Sequence, residues 1–211
     1  MFELETRNAK LETDVMTLPT KLTILRILLT FVLMGLLFLP GWIPKAAALA
    51  GFLVASATDW ADGYLARRWG QTSALGALLD PIADKVLVLG MFLAFVQLRL
   101  VPAWMVLVIA LREFLITGVR LFAASRNLVL SASKEGKHKT VSQMVAIVTV
   151  LSVLVIEEWR GYGGLSPSTA ASLHAIILGM LWIAVILTTI SGLSFFWRHR
   201  TLLMDTVGGK G

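Results

Sequence analysis

The chain has 211 residues, of which 57% are hydrophobic and only 15% charged; soluble domains usually carry about 25% charged residues, and here the apolar excess lies in long runs, which excludes an ordinary soluble domain. The absence of cysteine excludes disulfides, thiolate catalysis and cysteine-ligated zinc or iron–sulfur sites. A net charge of +6 suits basic loops facing an anionic leaflet, and no nucleic-acid partner is expected, because no stretch pairs a basic patch with exposed aromatics.

Residues 1–17 are polar and mixed in charge (Glu3, Glu5, Arg7, Lys10, Glu12, Asp14). That pattern is unlike a cleaved signal peptide and suits a short surface helix or a loose segment. Six apolar spans follow, which predicts an all-α polytopic membrane protein with one domain over residues 18–197. The first span runs from about Leu22 to Leu39 and stops at Pro40-Gly41. The second starts near Ala46 and continues past Asp59 to about Leu65. The third covers Ala74 to Gln97. The fourth starts at Pro102, a good first-turn residue, and reaches about Ala124. The fifth covers Thr140 to Ile156 and the sixth Ala171 to Trp197. Residues 198–211 form a basic tail expected to be flexible. With both termini on the cytoplasmic side, the outer loops hold only Lys45, Arg99 and Arg160 of the 19 Lys and Arg, a strong positive-inside bias. Trp42, Trp104, Trp159 and Trp197 fall near span ends, as an aromatic belt requires.

Asp59, Asp62, Asp80 and Asp84 lie within or beside apolar runs, where an ionised carboxylate is costly unless compensated. Asp59 and Asp62 are three apart, so they share a helical face. Gly76, Asp80 and Asp84 are four apart in series and share another. The link between the two spans is short, so both pairs belong near the cytoplasmic side. Four carboxylates carry a charge of about −4, which hard divalent cations with oxygen ligands neutralise. No thiol is available and His138, His174 and His199 lie elsewhere, as expected of surface residues, so magnesium or manganese is favoured over zinc or copper. Taken singly, each Asp could instead cap a helix or pair with a base, and Asp80-Pro81 resembles an ordinary helix interruption. Lys85 does not share a face with Asp84. The small residues Gly63, Ala66 and Gly76 either allow close helix packing or leave room for a nucleotide. Arg67 either anchors the inner membrane surface or meets a phosphate.

Together these residues read Asp59-x2-Asp62-Gly63-x2-Ala66-Arg67-x8-Gly76-x3-Asp80-x3-Asp84. The pattern resembles, at every fixed position, the signature of the CDP-alcohol phosphotransferase family. The resemblance implies a six-span fold, a homodimer and a site open to the cytoplasm at the cell membrane. It implies that Asp59, Asp62 and Asp80 bind metal, two ions of Mg²⁺ or Mn²⁺, and that Asp84 contacts the second ion and acts as general base. Asp62, Gly63, Ala66, Arg67, Gly76 and, in the N-terminal stretch, Thr23 would contact the CDP group. The implied chemistry joins an alcohol to a CDP-activated lipid. A hydroxyl is a poor nucleophile and needs a base, and the anionic diphosphate needs cations.

The family's acceptors include glycerol 3-phosphate, inositol phosphate, inositol, serine, choline, ethanolamine and phosphatidylglycerol. Leu111-Arg112-Glu113-Phe114-x2-Thr117-Gly118-x-Arg120, Gly136-Lys137-x-Lys139-Thr140 with Gln143-Met144, and Leu18-Pro19-x-Lys21-Leu22-Thr23-x2-Arg26 resemble the bacterial members that use glycerol 3-phosphate. The similarity spans most of the chain from Pro19 to Phe196. It implies that CDP-diacylglycerol and sn-glycerol 3-phosphate give phosphatidylglycerol phosphate and CMP. Those members usually carry Asn at the position of Thr20, so a contact made by that Asn would differ here. A phosphate monoester needs cations, and Arg112, Arg120, Lys137 and Lys139 are the candidates. Lipid-headgroup attraction is the plain alternative for Lys134 and Lys139. Arg112 lies well inside an apolar run, where charge is costly, and Glu113 would orient or balance a neighbouring cation. Another acceptor, such as inositol phosphate or phosphatidylglycerol, would use the same machinery. A divalent-cation transporter is the rival of another class, but such folds often carry internal repeats and none is visible here. A catalytically inactive lipid-binding scaffold would keep the fold without turnover.

Overall fold

The computed structural model describes residues 18–69, 74–125, 135–161 and 164–200, with side chains for 24–58, 85–124, 139–161 and 164–200. Six helices account for nearly all of these: α1 (Leu18–Phe38), α2 (Trp42–Trp69), α3 (Ala74–Gln97), α4 (Ala103–Ser125), α5 (Glu135–Arg160) and α6 (Pro167–Arg198). There is no strand among the described residues. Helices are the natural outcome for runs this apolar, because each backbone N–H and C=O is satisfied within its own segment.

The helix bounds depart from the expected spans where polar residues continue or cap an apolar run. α2 begins at Trp42, with Pro44 in its first turn, rather than near Ala46. A proline is tolerated there because the first N–H groups of a helix have no intrahelical partner. α3 spans Ala74–Gln97 as expected and continues through Asp80-Pro81, so the plain reading of that pair as a helix interruption does not hold. The proline leaves the carbonyl of Ala77 without its intrahelical donor. α5 starts at Glu135, so Lys137 and Lys139 lie in its first turns and not in a loop. α6 starts at Pro167 because Ser166 caps it: the Ser166 hydroxyl accepts the Thr169 N–H at 3.2 Å, and Pro167 occupies the first turn.

Two helical segments, Lys139–Arg160 and Pro167–Arg198, are long and apolar enough to cross a membrane. α4 is of similar length, but every 18-residue stretch of it contains Arg112, Glu113 and Arg120. Large apolar side chains remain exposed along the helices, among them Phe31 and Val32 on α1 and Ile183, Ile190 and Leu193 on α6.

Two compact units make up the described chain. The first contains α1, α2, α3 as far as Ala94, and the end of α5 from Leu151. Its buried side chains include Leu33, Leu37, Phe52, Leu87, Met91, Phe92 and Leu151. α1 meets both of its neighbours closely. A Cβ on Gly51 of α2 would stand 2.6 Å from Leu33 Cδ2, and one on Gly90 of α3 2.6 Å from Thr30 Cγ2, so glycine sets the helix spacing at both contacts. The turn between α1 and α2 is tied to the end of α5. Lys45, buried in the first turns of α2, donates to the Leu39 carbonyl and pairs with Glu158 Oε1 at 3.4 Å. The other Glu158 oxygen accepts the Gly41 N–H at 3.2 Å.

The second unit contains the end of α3 from Phe95, α4, α5 as far as Val150, and α6. Phe95, Met105, Ile109, Ile147, Ile177 and Leu181 are buried in it, and Trp104 meets Trp182 edge to face at 5.5 Å. α3 ends with Arg99 at φ 58°. The Arg99 N–H reaches the Val96 carbonyl at 2.9 Å and the Leu100 N–H reaches Phe95 at 3.0 Å. That is a Schellman closure, with arginine where glycine is usual.

Candidate active site

The signature residues fall on two consecutive helices of the first unit. Asp59, Asp62, Gly63, Ala66 and Arg67 lie in the last turns of α2, and Gly76, Asp80 and Asp84 in the first turns of α3. Both segments are helical, which the three- and four-residue spacings require if each set is to share a face. Only residues 70–73 separate the helices. Covalent geometry therefore keeps Trp69 and Ala74 within roughly 18 Å. Asp62 lies seven residues, about 10 Å of helix, before the end of α2, and Asp80 six residues, about 9 Å, into α3. The two aspartate sets thus stand at similar distances from the joined ends. The side chains of all eight signature residues, of Thr23 on α1 and of Lys137 on α5 lie outside the described residues. Among the described residues no three His, Asp or Glu gather as a metal site. The donor set at the signature is all oxygen, which suits magnesium or manganese.

The second unit holds a buried charged cluster. Glu113 of α4 and Lys139 of α5 are 9% and 7% exposed and form an ion pair. The same Glu113 oxygen lies 3.2 Å from Arg112 Nη1. Arg112 and Glu113 are neighbours in sequence, and the length of the arginine lets it reach around the helix to its own neighbour. Arg112 Nη2 donates to Ser191 Oγ on α6 at 2.7 Å, and Ser191 is buried. Arg112 Nε is buried without a hydrogen-bond partner among the described residues. One turn further along α5, Gln143 donates to Thr188 of α6 at 3.1 Å, both buried. The Arg120 guanidinium lies 5.6 Å from the centre of the Phe195 ring, within reach of a cation–π contact.

Of the four cations expected to meet an acceptor phosphate, Arg112 and Lys139 converge on one carboxylate. Arg120 is exposed against an aromatic face, and the Lys137 side chain lies outside the described residues. The burial of Lys139 is unlike a headgroup anchor, which keeps its ammonium in the interface. Glu113 balances two cations. Ser191, Thr188 and Gly192 were missed in the sequence, where small and hydroxylated residues in an apolar run read as helix packing. Their only signal was the Thr188-Thr189 and Ser191-Gly192 pairs inside an otherwise aliphatic span.

The described residues are almost all helical, the two aspartate sets lie towards the adjoining ends of α2 and α3, and a charged cluster joins α4, α5 and α6. The family model described as CDP-alcohol phosphatidyltransferase matches residues 16–190, and the chain belongs to that family. It is 38% identical over 195 residues to a Bacillus subtilis protein named CDP-diacylglycerol–glycerol-3-phosphate 3-phosphatidyltransferase, covering 86% of this chain and 94% of the relative. An Escherichia coli K12 protein of the same name is 36% identical over 194 residues, covering 89% and 97%. One from Cereibacter sphaeroides is 32% identical over 217 residues, covering 90% and 98%.

Proposed function

We infer that this enzyme transfers the phosphatidyl group of CDP-diacylglycerol to sn-glycerol 3-phosphate, giving phosphatidylglycerol phosphate and CMP. The observation that carries the inference is the complete eight-residue signature at the adjoining ends of α2 and α3, in a chain that matches relatives named for this reaction over nearly their whole length.

In this reading Asp84 takes the proton from the acceptor hydroxyl, whose oxygen bonds to the β-phosphorus as the bridging oxygen leaves with CMP. Asp59, Asp62, Asp80 and Asp84 are the residues that would hold two Mg²⁺ or Mn²⁺ ions, which would screen the diphosphate and stabilise the leaving group. Asp62, Gly63, Ala66, Arg67, Gly76 and Thr23 contact the CDP moiety. Arg112, Arg120, Lys137 and Lys139 bind the acceptor phosphate, with Arg112 giving directional contacts. Arg112 and Lys139 converge on one carboxylate and Arg112 Nε is left without an acceptor among the described residues; both support this assignment, because a phosphate oxygen suits such a donor. The cytoplasmic-membrane location, six spans, cytoplasmic termini and site, and a homodimer belong to the same proposal. The lopsided distribution of Lys and Arg supports the orientation.

The test is CMP release by purified protein in detergent with CDP-diacylglycerol, Mg²⁺ or Mn²⁺, and each candidate acceptor in turn. Release with glycerol 3-phosphate is expected, abolished by a chelator and by Asp84→Asn. Release only with inositol phosphate or phosphatidylglycerol would keep the chemistry and overturn the acceptor. Absence of release with every acceptor would overturn the enzyme reading.

A further inference from the structure

Arg112 is held from α6 as well as from its own helix. Its Nη2 donates to Ser191 Oγ at 2.7 Å. Ser191 is only 2% exposed, so water does not compete for that bond. The next residue, Gly192, lies against the stem of the same side chain: a Cβ there would stand 3.1 Å from Arg112 Cγ, so the arginine stem would have to give way slightly. On the other side Nη1 meets Glu113, and Glu113 is shared with Lys139. A guanidinium is planar. A hydroxyl on one terminal nitrogen, a carboxylate on the other and a close helix against the stem together define where that plane lies.

The arrangement leaves one donor over: Arg112 Nε is buried with no acceptor among the described residues. A buried donor without an acceptor is unfavourable, and an anionic oxygen would remove that cost. Helix packing alone does not call for the Ser191 hydroxyl, since an aliphatic side chain at that position would fill the space without one.

We propose that Ser191 and Gly192 are positioning residues for acceptor binding: α6 uses the serine hydroxyl and the bare glycine backbone to orient the Arg112 guanidinium toward the acceptor phosphate. The inference rests on Arg112 being a contact of that phosphate, as argued above. Ser191 acts through Arg112 and need not touch substrate. Its loss therefore weakens a contact made equally in the ground and transition states, which raises KM and spares kcat.

The experiment measures kcat, the apparent KM for glycerol 3-phosphate and for CDP-diacylglycerol, and the thermal midpoint of the full-length protein in detergent. The variants are Ser191→Ala, Gly192→Ala, Arg112→Met and the double variant Ser191→Ala with Arg112→Met. Ser191→Ala is expected to raise the KM for glycerol 3-phosphate about three- to tenfold, with kcat and the CDP-diacylglycerol KM held within about twofold. Gly192→Ala shifts the same constant in the same direction. In the Arg112→Met background Ser191→Ala adds nothing, since the two act through one side chain. A Ser191→Ala protein with a lowered thermal midpoint and an unchanged glycerol 3-phosphate KM would overturn the proposal, as would full additivity in the double variant. If Arg112→Met raises that KM while Ser191→Ala does not, positioning alone fails. If Arg112→Met also leaves it unchanged, the acceptor-site assignment fails with it. Should Gly192→Ala not fold, Ser191→Ala and the double variant decide the matter.

Discussion

Two charged clusters invite comparison, one in each unit. In the first unit Lys45 and Glu158 pair one to one. Lys45 also satisfies the Leu39 carbonyl, and the second Glu158 oxygen takes the Gly41 N–H. Charge cancels, and the groups at the end of α1 that the turn would leave open are satisfied. In the second unit Glu113 faces two cations, Arg112 and Lys139, and one Arg112 donor is left over. The first arrangement is a closed fastener, and the second leaves the Arg112 Nε donor open among the described residues. An ion pair by itself therefore does not mark a binding site; the open buried donor is the difference that the proposed phosphate contact would account for, because such a donor is retained at a cost in stability.

The comparison can be broken from either side. The largest effect is expected for Arg112→Met: the KM for glycerol 3-phosphate should rise about a hundredfold, the loss of a charge-assisted bidentate contact, with little change for CDP-diacylglycerol. Steady-state kinetics with each substrate varied in turn would check it. Glu158→Gln should do the opposite. It leaves Lys45 buried without its counter-charge and lowers stability by about 1–3 kcal/mol, while both KM values stay unchanged. Thermal denaturation and kinetics on the same preparation would read both. A shifted acceptor KM in Glu158→Gln would erase the distinction between the two clusters.

Smaller controls sharpen the same distinction at helix closures away from both clusters. Ser166→Ala removes the cap of α6 and should cost about 1 kcal/mol with kinetics intact. Arg99→Gly relieves a left-handed backbone position and should stabilise by roughly 0.5–1 kcal/mol, visible as a higher thermal midpoint.

Much of the fold was legible because long apolar runs leave the backbone few alternatives to helix, the arrangement that satisfies its N–H and C=O groups within one segment. The errors cluster where polar residues extend those runs. Glu135 to Lys139 precede the span read from Thr140, yet they open α5, and Lys139 is buried against Glu113. Ser166-Pro167 is a readable start signal that hydropathy overlooked. The aspartate spacing implied helices, and both sets lie on helices; Arg112 stood out by its place in an apolar run. The sharing of Glu113 was not legible, because Lys139 lies 26 residues away in sequence and only tertiary packing joins them. Ser191, 79 residues from Arg112, was hidden for the same reason.

The most direct test of the central claim is to follow labelled glycerol 3-phosphate into lipid while counting CMP. With CDP-diacylglycerol and Mg²⁺ or Mn²⁺, the account predicts one labelled phosphatidylglycerol phosphate for each CMP released, and neither product from Asp84→Asn. CMP released without label in lipid, or lipid product formed only with an unphosphorylated alcohol, would contradict it.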